Sequence, residues 1–472
     1  MSLTPEQASV IEDPNESKLV VALPGSGKTH TTVSLAERIL SMPGTKVLMV
    51  TFTNAAANEM RNRIASRLCS TVSRRVVTKT FAKIMLDQHQ PLLAGRRLVL
   101  GGELTTYVLR VFKKLRICIS NLQQYQQQFD AYGRDMDWQP KAGNKTCEAY
   151  IELQNMLALY KKVDLNTVAR EVVWSLREGK IKPLNYSHFI IDEFQDTDSI
   201  QYQWLLAHRQ EGSYMTVVGD DDQSIYGWRG AVGYQNMLDF KRDFNATPFL
   251  LSTCFRCAPY ILGTAQRLIE HNDNRLQKDM HSAKTERGIV RVACYEPPSV
   301  PKSEDDTDLQ KDAPAKKMKL TPEQAMQYEY NYVVDYIQSD FYTWTILART
   351  NLHLDNLERH LSERGIPALR LGGKSIFDSP NTIAIIKLLH GITHQRKITD
   401  LIEGLGWLGE CEDALHGMLY TGGVHGFTAV PQGPWLDVTI KLQQLCFRIA
   451  EDADTISRTE SYLLSFASLI TN

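Results

Sequence analysis

The sequence has 472 residues, of which 43% are hydrophobic and 23% charged, as is typical of a globular protein with about two to four domains. A formal net charge of −1 excludes a uniformly basic surface, so any nucleic-acid binding would need a local groove. The eight cysteines include one close pair, Cys254 and Cys257, without a second pair at zinc-ligand spacing, which favours reduced cysteines over a metal site. No apolar run approaches the ~20 residues needed to span a bilayer, and the polar first residues do not resemble a signal peptide.

A strand, a glycine-containing turn and a helix follow one another near the start of the chain. The strand is predicted at 19–22 and the helix at 31–40. The glycines let the backbone curl until its amides point at a phosphate, and the helix adds its positive end. Lys28 is suited to the β- and γ-phosphates, and the Thr29 hydroxyl is suited to Mg²⁺. The predicted phosphate-binding loop consists of Ala22, which replaces the usual first glycine, and of Gly25, Ser26, Gly27, Lys28 and Thr29.

Two further predicted strands end in polar residues. The strand at 189–191 stops at Asp192 and Glu193, and the strand at 215–218 stops at a glycine and an aspartate. Such strands predict a parallel α/β sheet, whose ligands bind at the carboxyl edge. There Asp192 can hold Mg²⁺, while Glu193 can orient or deprotonate an attacking water. An isolated Asp-Glu pair is usually only a capped turn, so this prediction depends on a sheet shared with the phosphate loop.

Gln223 and Arg256 are predicted to complete the catalytic set. Gln223 follows the second of these strands, where it is placed to sense the γ-phosphate. Arg256 lies where we predict a second α/β core to begin. From there it would reach the phosphate across a cleft and tie hydrolysis to domain closure. The alternative for Arg256 is an ion pair with a surface acid.

Three aromatic side chains are candidates for contacts with single-stranded nucleic acid. Tyr226 and Trp228 flank Gly227 in a loop, and Phe52 ends a predicted strand. Stacking of a base on such a ring is worth ~1–3 kcal/mol and tolerates any base. Filling a hydrophobic core is the alternative role for large aromatic residues in a loop.

The rest of the chain alternates between predicted strands and helices. A mostly helical stretch at 86–160 interrupts the first core, and an acidic, then basic segment at 297–320 predicts a disordered loop. Further strands are predicted at 46–52, 74–80, 248–251, 288–293, 344–348 and 368–371. Further helices are predicted at 164–176, 199–208, 232–244, 259–272, 322–339 and 354–364.

The sequence resembles the UvrD/Rep-type superfamily 1 DNA helicases over roughly residues 3–390. The most specific motifs are Ile-Asp-Glu-Phe-Gln-Asp-Thr at 191–197 and the stretch at 218–231, which contains Gly-Asp-Asp-Asp-Gln-Ser-Ile-Tyr-Gly-Trp-Arg-Gly. The stretch at 50–61 resembles a DNA-contacting motif of the family, and that at 3–7 resembles its adenine-reading motif.

The resemblance implies roles for individual residues. Gln7 would read adenine, Phe255 would stack on adenine, and Arg256 would touch the γ-phosphate. The residues at the family's DNA-contacting positions are Phe52, Thr53, Asn54, Thr80, Tyr226 and Trp228.

The resemblance also implies an architecture and an activity. It implies an α/β fold with two RecA-like P-loop cores, ATP and Mg²⁺ between them, and helical insertions. It implies 3′-to-5′ movement on single-stranded and partly duplex DNA, no membrane, and a cytoplasmic location in a bacterial or phage-infected cell. The corresponding domains are a first core at 1–85 and 161–247, a helical accessory insertion at 86–160, an incomplete second core at 248–296 and 321–395, and a partial helical accessory domain at 396–472.

The sequence departs from the family pattern in several places. Ala55 replaces a lysine and Ala82 a histidine of the DNA-contacting motifs. The last two helicase motifs, one with a second γ-phosphate arginine, are not found. We therefore expect the chain to stop inside the second accessory domain, and a separate chain is a candidate source of these motifs. The alternative to a helicase is a nucleotide-dependent DNA-binding or regulatory module with little turnover. Lys28, Asp192 and Glu193 disfavour a scaffold that does not use ATP.

Overall fold

The structure is a computed structural model that describes residues 3–118, 121–227, 230–292, 321–337, 341–370 and 386–387. The described part forms two compact units: the first contains the described residues up to Ile289 together with 386–387, and the second contains those from Val290 to Arg370. Trp228, the predicted loop at 297–320 and the predicted accessory domain at 396–472 lie outside the described residues. None of the described helices combines the length and the apolar character that crossing a bilayer requires.

A six-stranded sheet forms the centre of the first unit, and every pair of neighbouring strands in it is parallel. The described strands are β1 (Lys18–Ala22), β2 (Val47–Thr51), β3 (Val76–Thr80), β4 (Arg97–Leu98), β5 (Lys162–Val163), β6 (His188–Ile191), β7 (Tyr214–Gly219), β8 (Thr247–Leu251), β9 (Thr253–Cys254) and β10 (His281–Ser282). The spatial order in the large sheet is β3-β2-β6-β7-β1-β8. The predicted parallel α/β fold is confirmed, as are the strands predicted at 19–22, 46–52, 74–80, 189–191 and 215–218.

The sheet is buried on both faces, which explains why its central strands are continuously apolar. Alternate residues point to opposite faces, so one apolar cluster contains Phe189 while another contains its neighbour Ile190. The first cluster also contains Trp204 and Phe240, and the second contains Ile39 from the helix after the phosphate loop. The carboxyl edge of the sheet is therefore set between two packed layers of helices.

The last strand of this sheet corrects a predicted domain boundary. β8 pairs in parallel with β1 along its whole length, from Thr247 beside Lys18 to Leu251 beside Ala22. The prediction that residue 248 begins a second core is wrong for this segment, because the segment completes the first sheet. β1 has two edges, and pairing with β8 satisfies the backbone groups on the edge that β7 leaves open.

Helices cover the sheet and frame the phosphate loop. α1 begins with a capping box in which the Thr4 and Gln7 side chains satisfy each other's backbone N–H groups. The helices of the first unit are α1 (Pro5–Glu12), α2 (Lys28–Leu40), α3 (Asn54–Arg67), α4 (Ser70–Ser73), α5 (Phe81–His89), α6 (Gly101–Leu115), α7 (Leu122–Arg134), α8 (Lys145–Leu159), α9 (Leu165–Arg177), α10 (Ser199–Ala207), α11 (Tyr234–Asp243) and α12 (Pro259–Ile269). The helices predicted at 31–40, 164–176, 199–208, 232–244 and 259–272 are confirmed within a few residues.

The helices α6, α7 and α8 build an apolar cluster of their own, which includes Phe112, Phe129, Tyr150 and Leu153. The two-residue strands β4 and β5 pair where this helical stretch leaves and rejoins the first core. The helical content expected for the insertion at 86–160 is thus present, with a core distinct from those of the large sheet.

The described part of the second unit contains two α-helices and the short 3-10 helix Phe341–Thr343. Pro322–Ile337 packs on Asn351–Glu363 through an apolar cluster that includes Val334 and Leu357. The strands predicted at 288–293, 344–348 and 368–371 are not formed in the described residues 288–292, 344–348 and 368–370. An apolar run becomes a strand only where a neighbouring strand pairs with its backbone and covers its side chains. Leu347 is 90% exposed, so it has no such cover.

Candidate nucleotide site and nucleic-acid contacts

Both glycines of the predicted phosphate loop adopt left-handed backbone conformations. The φ angle is +71° at Gly25 and +84° at Gly27, a region that residues with a Cβ rarely adopt. A Cβ at Gly25 would lie 2.4 Å from the Cβ of Arg256, and one at Gly27 would lie 2.8 Å from Nε2 of Gln7. α2 begins at Lys28, so the free amides of its first turn lie at the loop. The predicted strand–loop–helix arrangement is confirmed.

Gln7 is buried and fastened to the phosphate loop. Its Nε2 donates to the backbone oxygen of Ser26 at 3.0 Å, and its Oε1 accepts from the backbone N–H of Thr4 at 3.1 Å. The Ser26 hydroxyl is buried without a hydrogen-bond partner among the described residues. A buried hydroxyl that lacks a protein partner, in a loop with glycine-curled backbone, fits a bound phosphate oxygen.

The carboxyl end of β6 brings Glu193 to Lys28. Nζ of Lys28 lies 2.8 Å from Oε2 of Glu193, so the phosphate loop and this strand end share one edge of the sheet. The backbone N–H of Glu193 donates to Oδ1 of Asp192 at 3.0 Å. This is the juxtaposition that the sequence predicted for a nucleotide-hydrolysis site.

The pKa values of the two neighbouring carboxyl groups are shifted in opposite directions. Burial and the nearby charge of Glu193 raise the pKa of Asp192 to about 7, against the opposing effect of Lys28. Burial also acts to raise the pKa of Glu193, but Lys28 and a hydrogen bond from Gln195 outweigh it and lower that pKa. A buried carboxyl group that ionises reluctantly suits a divalent cation, which would favour its charged form. With the Thr29 hydroxyl it offers the hard oxygen ligands that Mg²⁺ prefers.

The structure corrects the predicted position of Arg256. The backbone N–H of Phe255 donates to the backbone oxygen of Gly25 at 2.9 Å, which places this turn directly against the phosphate loop. Arg256 therefore lies in the first unit and not in a second core across a cleft, because β8 carries the chain back beside β1. Its positive charge contributes to the lowered pKa of Glu193.

Gln195 connects the acidic strand end to the neighbouring strand. Its Nε2 donates to Oε2 of Glu193 at 2.8 Å, and its Oε1 accepts from the backbone N–H of Asp220 at 3.0 Å. The side chain of Gln223 donates through Nε2 to Oδ2 of Asp220 at 2.6 Å. A continuous hydrogen-bonded chain thus runs from Lys28 to Gln223.

The aromatic candidates that the structure describes lie together. The rings of Phe52 and Tyr226 stack with centroids 5.3 Å apart and planes 27° from parallel. Thr53 caps α3 by accepting from the backbone N–H of Ala56, and Thr80 caps α5 by accepting from that of Lys83. Asn54 is the exposed first residue of α3. The loop after β7 and the end of β2 therefore meet beside two helix amino ends.

The sequence analysis missed three residues that stabilise the site. Gln195 lies inside the motif at 191–197 but was given no role there, and Arg275 and Lys278 were not identified as candidates. Lys278 pairs with all three consecutive aspartates at 220–222, and Arg275 pairs with Asp222. Such a run at a strand end is the signal that could have prompted a search for counter-charges, because buried carboxylates need partners.

Comparison with known proteins identifies the family. The UvrD/REP helicase N-terminal domain matches residues 3–96 and 85–245, which include the phosphate loop, Asp192, Glu193 and the Phe52–Tyr226 pair. The chain belongs to the UvrD/Rep helicase family. The parallel sheet with its phosphate loop is the RecA-like fold of this family.

Individual relatives of the UvrD/Rep helicase family are similar over much of the chain. The "ATP-dependent DNA helicase PcrA" of Leuconostoc citreum is 27% identical over 436 residues, which is 85% of this chain and 55% of that protein. The "DNA helicase II" of Escherichia coli (strain K12) is 31% identical over 326 residues, or 62% of this chain and 44% of that protein. The "ATP-dependent DNA helicase Rep" of Buchnera aphidicola subsp. Acyrthosiphon pisum is 27% identical over 321 residues, which is 62% of this chain and 49% of that protein. The chain spans about half the length of these relatives.

Proposed function

We propose that this chain is an ATP-dependent DNA helicase and translocase that moves 3′-to-5′ on single-stranded DNA. It would couple ATP hydrolysis to strand separation in replication, repair or recombination. The observation that carries the proposal is the 2.8 Å contact between Lys28 and Glu193, which joins a phosphate loop to a catalytic carboxylate. The names of the relatives, which are ATP-dependent DNA helicases, support the same activity.

Hydrolysis would use the charges that meet at the sheet edge. The loop amides and Lys28 bind the phosphates, and Thr29 with Asp192 would hold Mg²⁺, which neutralises charge on the phosphates. A phosphate oxygen competes with Glu193 for the Lys28 ammonium. Once Lys28 binds phosphate, Glu193 is left as an ionised group that can take a proton from the attacking water. The hydrogen bond from Gln195, which also acts to lower the pKa of Glu193, does not depend on Lys28.

Arg256 and Gln223 would act on the γ-phosphate. Arg256 lies beside Gly25, so its guanidinium can offset negative charge at the phosphate from within the first unit. Gln223 is joined to Glu193 through Asp220 and Gln195, so a change at the carboxylate can reach it.

The base of the nucleotide would meet Gln7 and Phe255. Gln7 retains one amide hydrogen and one oxygen lone pair beyond the two bonds described, which suits the edge of adenine. Phe255 is 44% exposed and follows directly on the strand beside the loop, so its ring is available for stacking.

Single-stranded DNA would bind where Phe52 stacks on Tyr226. Aromatic faces and capped helix amino ends together provide base stacking and backbone phosphate contacts. We assign Thr53, Asn54 and Thr80 to the phosphates and Trp228 to a further base.

The proposal is tested by ATP turnover and by strand separation with the purified chain. ATP hydrolysis is measured with and without single-stranded DNA, and unwinding is compared on duplexes with a 3′ or a 5′ single-stranded tail. We expect DNA to stimulate hydrolysis and only the 3′-tailed duplex to be unwound. ATP binding without DNA-stimulated turnover would instead support the regulatory module, and unwinding of the 5′-tailed duplex would contradict the proposed direction.

A further inference from the structure

The end of β7 is held by a buried group of five charged side chains, which we call the acid clamp. Its members are Asp220, Asp221, Asp222, Arg275 and Lys278. The Lys278 side chain is fully buried, with Nζ 2.6 Å from Oδ1 of Asp221 and 2.8 Å from Oδ2 of Asp222, and it also bonds Asp220. Arg275 binds both carboxylate oxygens of Asp222, at 3.0 and 2.8 Å.

The acid clamp joins distant parts of the chain. The backbone N–H of Leu276 also donates to Oδ2 of Asp221 at 2.7 Å, so backbone and side chains of this segment bind the same turn. Residues 275–278 belong to the first unit, in the stretch of chain that leads to Ile289. Burial acts to lower the pKa of Lys278, but the three aspartates outweigh it and the pKa is raised. The lysine is thus a permanent cation in this group.

One member of the acid clamp is also part of the nucleotide site. The backbone N–H of Asp220 binds Gln195, which binds Glu193, and the Asp220 carboxylate binds Gln223. The space here is tight, since a Cβ at Gly219 would lie 2.6 Å from Oε1 of Gln195. Any displacement of the 220–222 turn therefore moves the amide that orients Glu193.

We propose that Lys278, supported by Arg275, is a positioning residue for the nucleotide site. By fixing the 220–222 turn, it sets Gln195 against Glu193 and places the loop that carries Tyr226 against Phe52. Lys278 does not touch the phosphates or the water. The inference rests on the proposed function in so far as the site it positions is taken to hydrolyse ATP.

A buried ion pair can also contribute only to the overall stability of the fold. The test therefore needs a measurement that reports on the nucleotide site separately from the rest of the first unit. Removing one cation leaves buried carboxylates uncompensated, and the nearby backbone should open more often. We compare amide hydrogen exchange in the unmodified full chain, in Lys278→Met and in the control Lys114→Met. Lys114 is a suitable control because its exposed side chain forms an ion pair with Glu152. If Lys278→Met does not fold, Arg275→Met, which removes the cation bound to Asp222 alone, is measured instead.

We expect exchange at 192–198 and 219–227 to accelerate by at least about tenfold, with less change in β2 and in the helices α6 to α8. The affinity for ATP should stay within about twofold while the DNA-stimulated turnover falls by about tenfold or more. Lys114→Met should match the unmodified chain in all three readouts. If amide exchange in Lys278→Met accelerated uniformly over the first unit, or did not accelerate at 192–198, the positioning role would be overturned. The exchange result decides this even if the unmodified chain does not hydrolyse ATP, an outcome that would contradict the proposed function alone.

Discussion

Nζ of Lys28 lies 2.8 Å from Oε2 of Glu193, across 165 positions of sequence. This ion pair joins the residue that we propose binds phosphate to the residue that we propose activates water. It also explains the lowered pKa of Glu193 in a buried position that would otherwise raise it.

Glu193→Gln removes the proton acceptor and keeps the size of the side chain. We expect ATP turnover to fall by ~10²–10⁴-fold, the usual contribution of a general base, while ATP still binds. Phosphate release and the affinity for a fluorescent ATP analogue measure the two effects. The control is Glu178→Gln, an exposed carboxylate paired with Lys180 at 2.6 Å, which should change neither. If Glu193→Gln hydrolysed ATP as fast as the unmodified chain, Glu193 would not be the general base.

Phe52→Ala and Tyr226→Ala each remove one ring of the stacked pair. Because base stacking is worth ~1–3 kcal/mol, we expect each variant to lose about 5- to 150-fold in affinity for single-stranded DNA. Fluorescence anisotropy of a labelled oligonucleotide measures this loss, and ATP affinity in the absence of DNA should be unchanged. Phe52→Tyr and Tyr226→Phe keep the rings and should bind DNA normally. Equal DNA affinity in the alanine variants would assign the pair to packing only.

Gly25→Ala places a Cβ 2.4 Å from the Cβ of Arg256, at a φ of +71°. We expect a loss of ~1–3 kcal/mol in the free energy of unfolding from backbone strain, with further loss from the overlap, and weaker ATP binding. Urea denaturation and nucleotide titration measure these changes. Gly44→Ala is the matched control, because Gly44 has a φ of +77° but nothing within 4 Å of the added Cβ. Equal stability losses in the two variants would mean that the contact with Arg256 is unimportant.

Glu171 gives the first core a predicted acid sensitivity. Burial acts to raise its pKa, but hydrogen bonds from Arg96 and His89 outweigh burial and hold that pKa at about 2. A carboxyl group with a depressed folded-state pKa stabilises the fold above its unfolded pKa of ~4.3 and loses that effect as the pH falls.

We therefore expect the unfolding free energy of the unmodified chain to fall from about pH 5 towards pH 3, and that of Glu171→Gln to fall less. Glu171→Gln should also be the less stable protein at pH 7, since it loses the ion pair with Arg96. Urea denaturation across this range measures both. If the unfolding free energies of the two proteins fell in parallel with pH, Glu171 would not be a source of the acid sensitivity.

Local patterns predicted the parts of the site that are contiguous in sequence. The glycines, Lys28 and Thr29 follow a strand and precede a helix, and Asp192 and Glu193 end an apolar run. These features were therefore located correctly. Arg256 was misplaced because its position depends on β8 pairing with β1, a contact between segments more than 200 residues apart. Short-range patterns do not encode which strand becomes a neighbour.

The acid clamp and the second unit show the same limit. Lys278 binds Asp221 across 57 positions of sequence, and a lone lysine after a helix carries no sign of that pairing. The apolar runs at 344–348 and 368–370 have the composition of strands, yet no strand forms in these described residues. Composition sets the preference for a strand, whereas a paired neighbour decides whether it forms.

The most direct test of the account is the rate of ATP hydrolysis by Lys28→Ala, with and without single-stranded DNA. The control is Lys114→Ala, which removes an exposed lysine paired with Glu152. We predict that Lys28→Ala abolishes turnover and keeps most of the DNA affinity, while Lys114→Ala hydrolyses ATP like the unmodified chain. Equal hydrolysis by Lys28→Ala and the unmodified chain would contradict the assignment of the nucleotide site.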